Sequence, residues 1–421
     1  MKPVDVEASE PSNRISQALL EQISRTALSL SIGQRMWPRG SKYGAYPQPV
    51  AIESSGWFDS FQEFLNKMPP VEEAISPIMG NPLVSVISSI VDPLYDLLTK
   101  TEDFRAIAAA IGLPGARMHM ATALYAMHRA FRARHGAIIE TTVALNSMLR
   151  HADIAADLPS RFFVPPFPAC YVHFNEGLQI QPEEETSGCQ TRIVGVYVLA
   201  HDGLAHLGEQ SNPLNGEILD FETARRWGIN EGSAFKKLDL LVVIDELEAD
   251  GGGNRRVFCT ELVVASDSDV PLLDVIRSRR RADVAEIKVR WPSHVLMSAI
   301  EHLSKVFLYM GLSEARRIEV NEARDASKKV AGLGPKKRAK AKRKLRDKYD
   351  RIIVGPSVWI DNKHTGVAGH EMSPHMRRGH FRMQRHGPGN KQQKLIFVAP
   401  VLVRADLAGS DVVAPKIYSV S

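Results

Sequence analysis

RFFVPPFPACYVHF, residues 161–174, is where the chain changes character. Pro165, Pro166 and Pro168 fall within four residues. No helix survives that spacing, because each ring removes a backbone N–H and fixes φ. An apolar run rich in aromatic and β-branched residues follows. Downstream, residues 169–174, 177–181, 190–200, 238–245 and 255–265 are rich in Val, Ile, Tyr, Phe and Thr and are bounded by Gly, Pro or charges. These are read as strands. Residues 183–188 (EEETSG) and 250–254 (DGGGN) read as hairpin turns, and Phe221–Trp227 as a short inserted helix. Few helical crossovers separate the strands, so an antiparallel sheet is expected.

Upstream the periodicity is helical. Ile15, Leu19, Leu20, Ile23, Ala27 and Leu30 recur at three and four, and residues 57–155 read as mainly helical. Met120, Leu124, Met127 and Phe131 form one face of a helix over 116–134, which suits a helical bundle. Later, Pro292 opens a helix with Val295, Leu296, Ile300, Leu303, Phe307 and Leu308 on its apolar side, ended by Gly311. Another helix is expected from Ser313 to Val330. Short strands are expected at 352–360, Gly379–Arg385, Lys394–Val403 and Lys416–Val420. The fold class is therefore α+β: an N-terminal helical region, a mainly antiparallel sheet with packed helices, and a C-terminal β-hairpin. The expected division is a flexible tail (1–13), a helical region (14–157), a β-rich region (158–291), helices (292–351) and a hairpin region (352–421) continuous with the β-rich part.

The 421 residues are 44% hydrophobic and 24% charged, which excludes global disorder and collagen-like architecture. The polar start of the chain has no apolar leader, and the most apolar stretch, 82–98, is interrupted by Asp92 and Pro93. That is short of the roughly 18–20 residues a membrane helix needs, so a cytoplasmic protein with no membrane partner is expected. The three cysteines, Cys170, Cys189 and Cys259, form no CxxC and lie in or near strand-like runs. Buried free thiols in a reducing compartment are expected.

The formal net charge of +5 hides a local excess. Residues 336–351 (KKRAKAKRKLRDKYDR) hold ten Lys or Arg and two Asp. Pro335 suits a first helical turn, and Ala341, Leu345 and Tyr349 repeat at four. A helix docked by one thin seam and ringed with cations is expected. A bland alternative is a solvated face, or neutralisation by the preceding helix, but that helix is itself cationic. Phosphates are a better match, with Lys337, Lys340, Lys344 and Lys348 tracking a backbone without reading its sequence. An acidic protein fits the same charges less specifically.

The second cluster holds His364, His370, His375, His380 and His386 among Arg377, Arg378, Arg382, Arg385, Lys391 and Lys394; the only acid between Lys363 and Arg404 is Glu371. Alternation places His380, Arg382 and Gln384 on one face of a strand and Phe381 and Met383 on the other. Three chemistries use such a set. Metal-independent RNA cleavage needs an acid, a base and cations for the phosphorane, with His375 and His380 as acid and base. Zinc binding by His370, His375 and His380 lacks a nearby Cys. Pure phosphate recognition uses Arg377, Arg378, Arg382 and Lys394 as donors. The bland alternative is structural histidines and arginines along a strand edge.

This C-terminal run resembles an uncharacterised family found in phages and related mobile elements. The likeness rests on Ser373-Pro374-His375-Met376-Arg377-Arg378-Gly379-His380-Phe381-Arg382, the strand from Lys394 to Pro400, and Lys416-Ile-Tyr418. It covers about the last 55 residues distinctively, and Phe397 stands where Trp is usual. The resemblance implies a mobile-element setting and no particular reaction.

Weaker signals point nowhere specific. Asp250–Asn254 lacks a following helix or Lys-Ser/Thr, so a nucleotide loop is not expected. His201 and His206 flank Asp202 and read as exposed loop histidines. Arg277–Arg281 is a second basic patch. The expected function is a nucleic-acid-binding protein, RNA ahead of DNA, with no cofactor and no metal ligand. The alternative is a non-enzymatic protein that captures a host or phage partner through its helical region.

Overall fold

A computed structural model describes residues 46–66, 85–87, 91, 115–180, 190–204, 234–247, 253–266, 269–277, 293–331, 334, 337, 341, 345, 348–357 and 375–403. The expected tail at 1–13, the helix at 15–30, the turn at 183–188, the helix at 221–227 and the strand at 416–420 lie outside these residues.

In chain order the elements are α1 (Gln48–Ser55), α2 (Trp57–Asn66), α3 (Gly115–Ala133), β1 (Ala137–Thr141), α4 (Val143–Arg150), β2 (Ala152–Ile154), β3 (Ala169–Ile180), β4 (Gln190–Leu204), β5 (Ala234–Leu247), β6 (Gly253–Ala265), α5 (Ser293–Met310), β7 (Arg317–Asn321), α6 (Glu322–Ala331), β8 (Asp350–Val354), β9 (His375–Arg377), β10 (Gly379–His386), β11 (Gln392–Val398) and β12 (Val401–Val403). A seven-stranded sheet runs β6-β5-β4-β3-β1-β8-β7. The pairs β3–β4, β4–β5, β5–β6 and β7–β8 are antiparallel, as the strand-rich sequence requires. β1 lies parallel to both β3 and β8. The fold is α+β, and its mainly antiparallel sheet has a parallel centre.

The run LDLLVVID in β5 is apolar at consecutive positions, so both faces of the sheet must be covered. One face packs on α4 and α5 through residues such as Ile139, Val172, Leu240, Leu303 and Phe307. The other packs on α1, α2 and α3 through Ile52, Phe61, Leu124, Met127, Tyr171, Tyr197 and Val243. The apolar stripe of α3 therefore meets the sheet, where the sequence suggested a helical bundle.

Several boundaries move for local reasons. Ala137–Thr141 lies in a stretch read as helical, yet it is a strand between two others. The strands expected at 169–174 and 177–181 are one strand. Its register shifts between His173 and Leu178, and Glu176 and Gly177 take positive φ at that bulge. The helix expected from Ser313 is a turn, the edge strand β7, and then α6. Within the described residues Cys170 is buried and free, and desolvation raises its thiol pKa; Cys259 is half-buried. His201 is no loop residue. It is fully buried in β4, 2.8 Å from the Asp239 carboxylate, which also accepts from Ser85 Oγ.

Burial keeps His302 and His173 in their neutral form. His302 on α5 bonds Asn146 Oδ1 at 3.2 Å and meets the Phe174 ring edge-on. Burial first, then Lys305 and Arg150, depress its pKa to about 3. Burial, then Arg255 and Arg192, depress that of His173 to about 4. The unfolded chain takes up these protons below pH 6.5, and the folded chain does so only near its lowered values. The stability they contribute is complete above 6.5 and is lost as the pH falls towards 3–4. Each is expected to cost about 2 kcal/mol at pH 5. Urea titrations at pH 7 and pH 5 measure this, and His302→Gln should flatten the slope. An unchanged slope in that variant would refute the assignment.

Candidate nucleic-acid interface

The first cationic element is the arm between β7 and β8. Asn321 and Asp350 are directly paired where it leaves and re-enters the sheet. Asp350 Oδ1 accepts from the N–H groups of Ala323 and Arg324 at 2.9 and 3.1 Å, capping the start of α6. No residue of α6 is buried. Lys337, Ala341 and Leu345 are helical, as the basic segment predicts. Ala341, Leu345 and Tyr349 are half-buried while Lys337 and Lys348 are exposed, which is the expected seam and cationic flank. Lys340 and Lys344 lie outside the described residues.

Acids gather at the base of the arm. Glu322 pairs with Lys348 at 2.8 Å and with Arg351 at 3.0 Å, and hydrogen bonds from these two cations hold its carboxyl below the usual range. Arg324 reaches Asp350 at 3.9 Å, and Lys328 reaches Asp325 at 3.6 Å. Lys348, expected to track phosphate, thus already has a carboxylate partner. Exposed pairs of this kind are worth little and open readily. Beyond the base, residues 326–346 contain ten Lys or Arg and no Asp or Glu.

The second element is the hairpin. β10 and β11 pair from His380↔Val398 to His386↔Gln392, across the expected turn. Phe381 is fully buried, and its ring stacks on Phe397 at 4.5 Å. Met383 and Leu395 pack on the α4–α5 side of the core, and Phe397 meets Tyr309 of α5 edge-on. That apolar face leaves His380, Arg382, Gln384 and His386 on the other. Arg377, Arg378, Arg382 and Lys394 are exposed and His380 is half-buried. His375 is in β9, paired with Val403 of β12.

The sequence missed the third strand of this small sheet, ordered β11-β10-β2. β2 lies parallel to β10 and sets Asp153 in register with His380. Arg378 reaches the Asp153 carboxylate at 3.0 Å, so this expected phosphate donor also has an acidic neighbour. His151 precedes β2, and its carbonyl accepts from Gly379 N at 2.8 Å. Burial first, then Arg150 and Arg378, lower its imidazole pKa and favour the neutral form. Both residues come from HADI, 225 positions before Arg378 in the case of Asp153, and nothing local in that tetrapeptide marks a site.

The two elements join the main sheet at different places. Ile139 faces the α4–α5 layer, so Glu140, next along β1, faces the α1–α3 layer. Tyr349 donates to Glu140 at 2.7 Å and meets Tyr46, just before α1, edge-on. The basic segment therefore joins the sheet on the face opposite the hairpin. It also joins at the N-terminal end of β8. The Glu314 carboxyl, lowered by hydrogen bonds from Ser313 and its own backbone and then by Lys394, belongs to the other end, where the Arg316 carbonyl accepts from Gly355 N at 3.0 Å.

Among the described residues no three His, Cys, Asp or Glu side chains are placed to hold a metal ion; His370, of the zinc alternative, lies outside them. No helix among them is long and apolar enough to cross a membrane. No curated protein and no solved structure matches the chain. Residues 140–405 match the AcrVA2-like family, described as the anti-CRISPR type V subtype A2 family. That span opens in β1 and runs past β12, taking in the arm and the hairpin, and it agrees with the phage and mobile-element setting that the C-terminal resemblance implied. The chain belongs to the AcrVA2-like anti-CRISPR family.

Proposed function

We propose that this chain binds nucleic acid through phosphate contacts, RNA in preference to DNA, as its means of acting against a CRISPR system. The carrying observation is the arm, whose residues 326–346 hold ten cations and no acid. No carboxylate within that stretch competes with a phosphate. The family supports RNA, because CRISPR effectors carry their sequence information in a guide RNA. The stretch has no aromatic residue on which a base could stack, so charge contacts to the backbone carry its affinity.

The test is fluorescence anisotropy with a labelled single-stranded RNA and its DNA equivalent, from 50 to 300 mM salt. Tighter binding of RNA, weakening steeply with salt, is expected. Salt-insensitive capture of a protein, with no affinity for either strand, would overturn the reading in favour of a non-enzymatic interaction protein.

A finer activity follows from the hairpin. His380 lies in register with Asp153, beside Arg378 and along one face from Arg382. His375 and His380 are the acid–base pair expected from the sequence, and His151, whose carbonyl accepts from Gly379 N next to His380, adds an imidazole of lowered pKa suited to the role of base. The proposed reaction is metal-independent endoribonuclease cleavage: a base takes the 2′-hydroxyl proton, an acid protonates the leaving 5′-oxygen, and arginines hold the phosphate. His380→Ala is expected to reduce cleavage a hundredfold or more while changing affinity only a few-fold. A gel assay of labelled RNA with and without EDTA reads this. RNA left intact by the wild type in both conditions removes the nuclease and leaves the binder.

A further inference from the structure

We infer that two copies of this chain pair edge to edge through β7, in one antiparallel register centred on Ile318. The pairing does not depend on nucleic-acid binding. β7 is the outermost strand of the seven-stranded sheet, next to β8. Arg317, Ile318 and Glu319 are all exposed there, and Ile318 keeps 45% of its surface open to water. An edge strand presents a row of backbone donors and acceptors that another strand is able to meet.

The backbone fixes which residues face outward. Gly355 N donates to Arg316 O at 3.0 Å, and the register of β7 on β8 continues through Ile318↔Ile353 and Val320↔Arg351. In an antiparallel ladder, hydrogen-bonded pairs alternate with non-bonded ones. Arg316, Ile318 and Val320 therefore turn their N–H and C=O groups towards β8, and Arg317, Glu319 and Asn321 turn theirs away from it.

A two-fold axis through Ile318 uses these outward groups in phase. Arg317 of each copy then lies opposite Glu319 of the other, and their backbones exchange two hydrogen bonds per pair. Arg317 and Glu319 lie in register with Val354 and Ile352, on the α4–α5 face, so opposite charges meet there twice. On the other face Ile318 meets its own counterpart in a non-bonded pair, about 4.5 Å apart at Cα, and extends the apolar row that Ile353 begins. The neighbouring two-fold registers are repulsive. One centred on Arg317 sets arginine against arginine, and one centred on Glu319 sets carboxylate against carboxylate.

The far edge of the same sheet gives the contrast. On β6, Arg255, Arg256 and Glu261 reach Asp245, Glu246 and Lys237 of β5 at 2.7, 2.8 and 3.0 Å. On β7, Arg317 and Glu319 lie across from apolar residues and have no ion-pair partner among the described residues. The charges of β6 are answered within the chain, and those of β7 are answered by a second copy. Five residues make a small interface of the transient kind, so the dimer should rise with concentration.

Sedimentation equilibrium of the full chain tests this, from about 1 to 200 μM and at about 50 mM salt, where charge pairs are weakly screened. The mass is expected to move from one chain towards two. Arg317→Glu and Glu319→Arg should each weaken self-association roughly tenfold or more, because each sets like charges together twice. An equimolar mixture of these two variants should recover the dimer, since one edge is then wholly acidic and the other wholly basic. Ile318→Cys should cross-link to its copy under mild oxidation, its Cα spacing falling in the disulfide range, while Val143→Cys, equally exposed, should not. A chain that stays monomeric throughout, or a dimer that neither reversal weakens, would overturn the inference and leave the nucleic-acid reading untouched. Thermal melts establish that the variants are folded.

Discussion

The triple variant Lys337→Glu, Lys340→Glu, Lys344→Glu is expected to bind RNA on the order of a hundredfold more weakly than the wild type at moderate salt. Each reversal removes one counterion-releasing contact and adds one repulsion. The slope of log affinity against log salt should fall by roughly two to three, at about 0.7 per phosphate lost from a single strand. The fold should not suffer. Lys337 is exposed, and like charges spaced at four along such a helix oppose it by a few tenths of a kcal/mol per pair, so acids in the row relieve strain within it. The anisotropy series across salt, with a thermal melt of the same samples, measures both. A variant that melts like the wild type and keeps its slope would mean that the arm touches no phosphate.

The second large effect is on stability. Phe381→Ala is expected to cost about 3–5 kcal/mol, the range for truncating a fully buried aromatic ring. Phe381 stacks on Phe397, which meets Tyr309, so the ring joins the small sheet to α5. The backbone there is bound too, with Ala155 N donating to Phe381 O at 3.0 Å. Urea midpoints measure the loss, and amide exchange locates it in β2, β10 and β11. A cost below about 1 kcal/mol would show that the hairpin folds apart from the main core.

What the sequence disclosed follows from how each element is held. β3 to β6 were legible because each is long and carries its own strand signature of β-branched and aromatic residues. α5 was legible because Val295, Ile300, Leu303, Phe307 and Leu308 print its buried stripe directly. The hairpin was legible because period two separates Phe381 and Met383 from His380 and Arg382. β1 was not. AIIET is five residues long, and only its place between β3 and β8 makes it a strand. β7 failed for a related reason: RIEVN mixes charges with Ile and Val on an edge strand paired with β8, and Ile318 remains 45% exposed. Asp153 and His151 became site residues through tertiary pairing. The cations themselves were plain in the sequence, but the face on which the basic segment joins the sheet depends on Glu140 alternating with Ile139, which composition does not encode.

The direct pairing of Asn321 with Asp350 has a consequence for how such proteins diversify. The cationic arm is topologically an insertion at the tip of a β-hairpin. Twenty-eight residues separate the two paired ends, which a two-residue turn is able to bridge. Lengthening such a loop costs only about 0.6 kcal/mol per doubling. Descendants of one ancestor are therefore free to graft, extend or shed this piece while the sheet beneath it keeps its register.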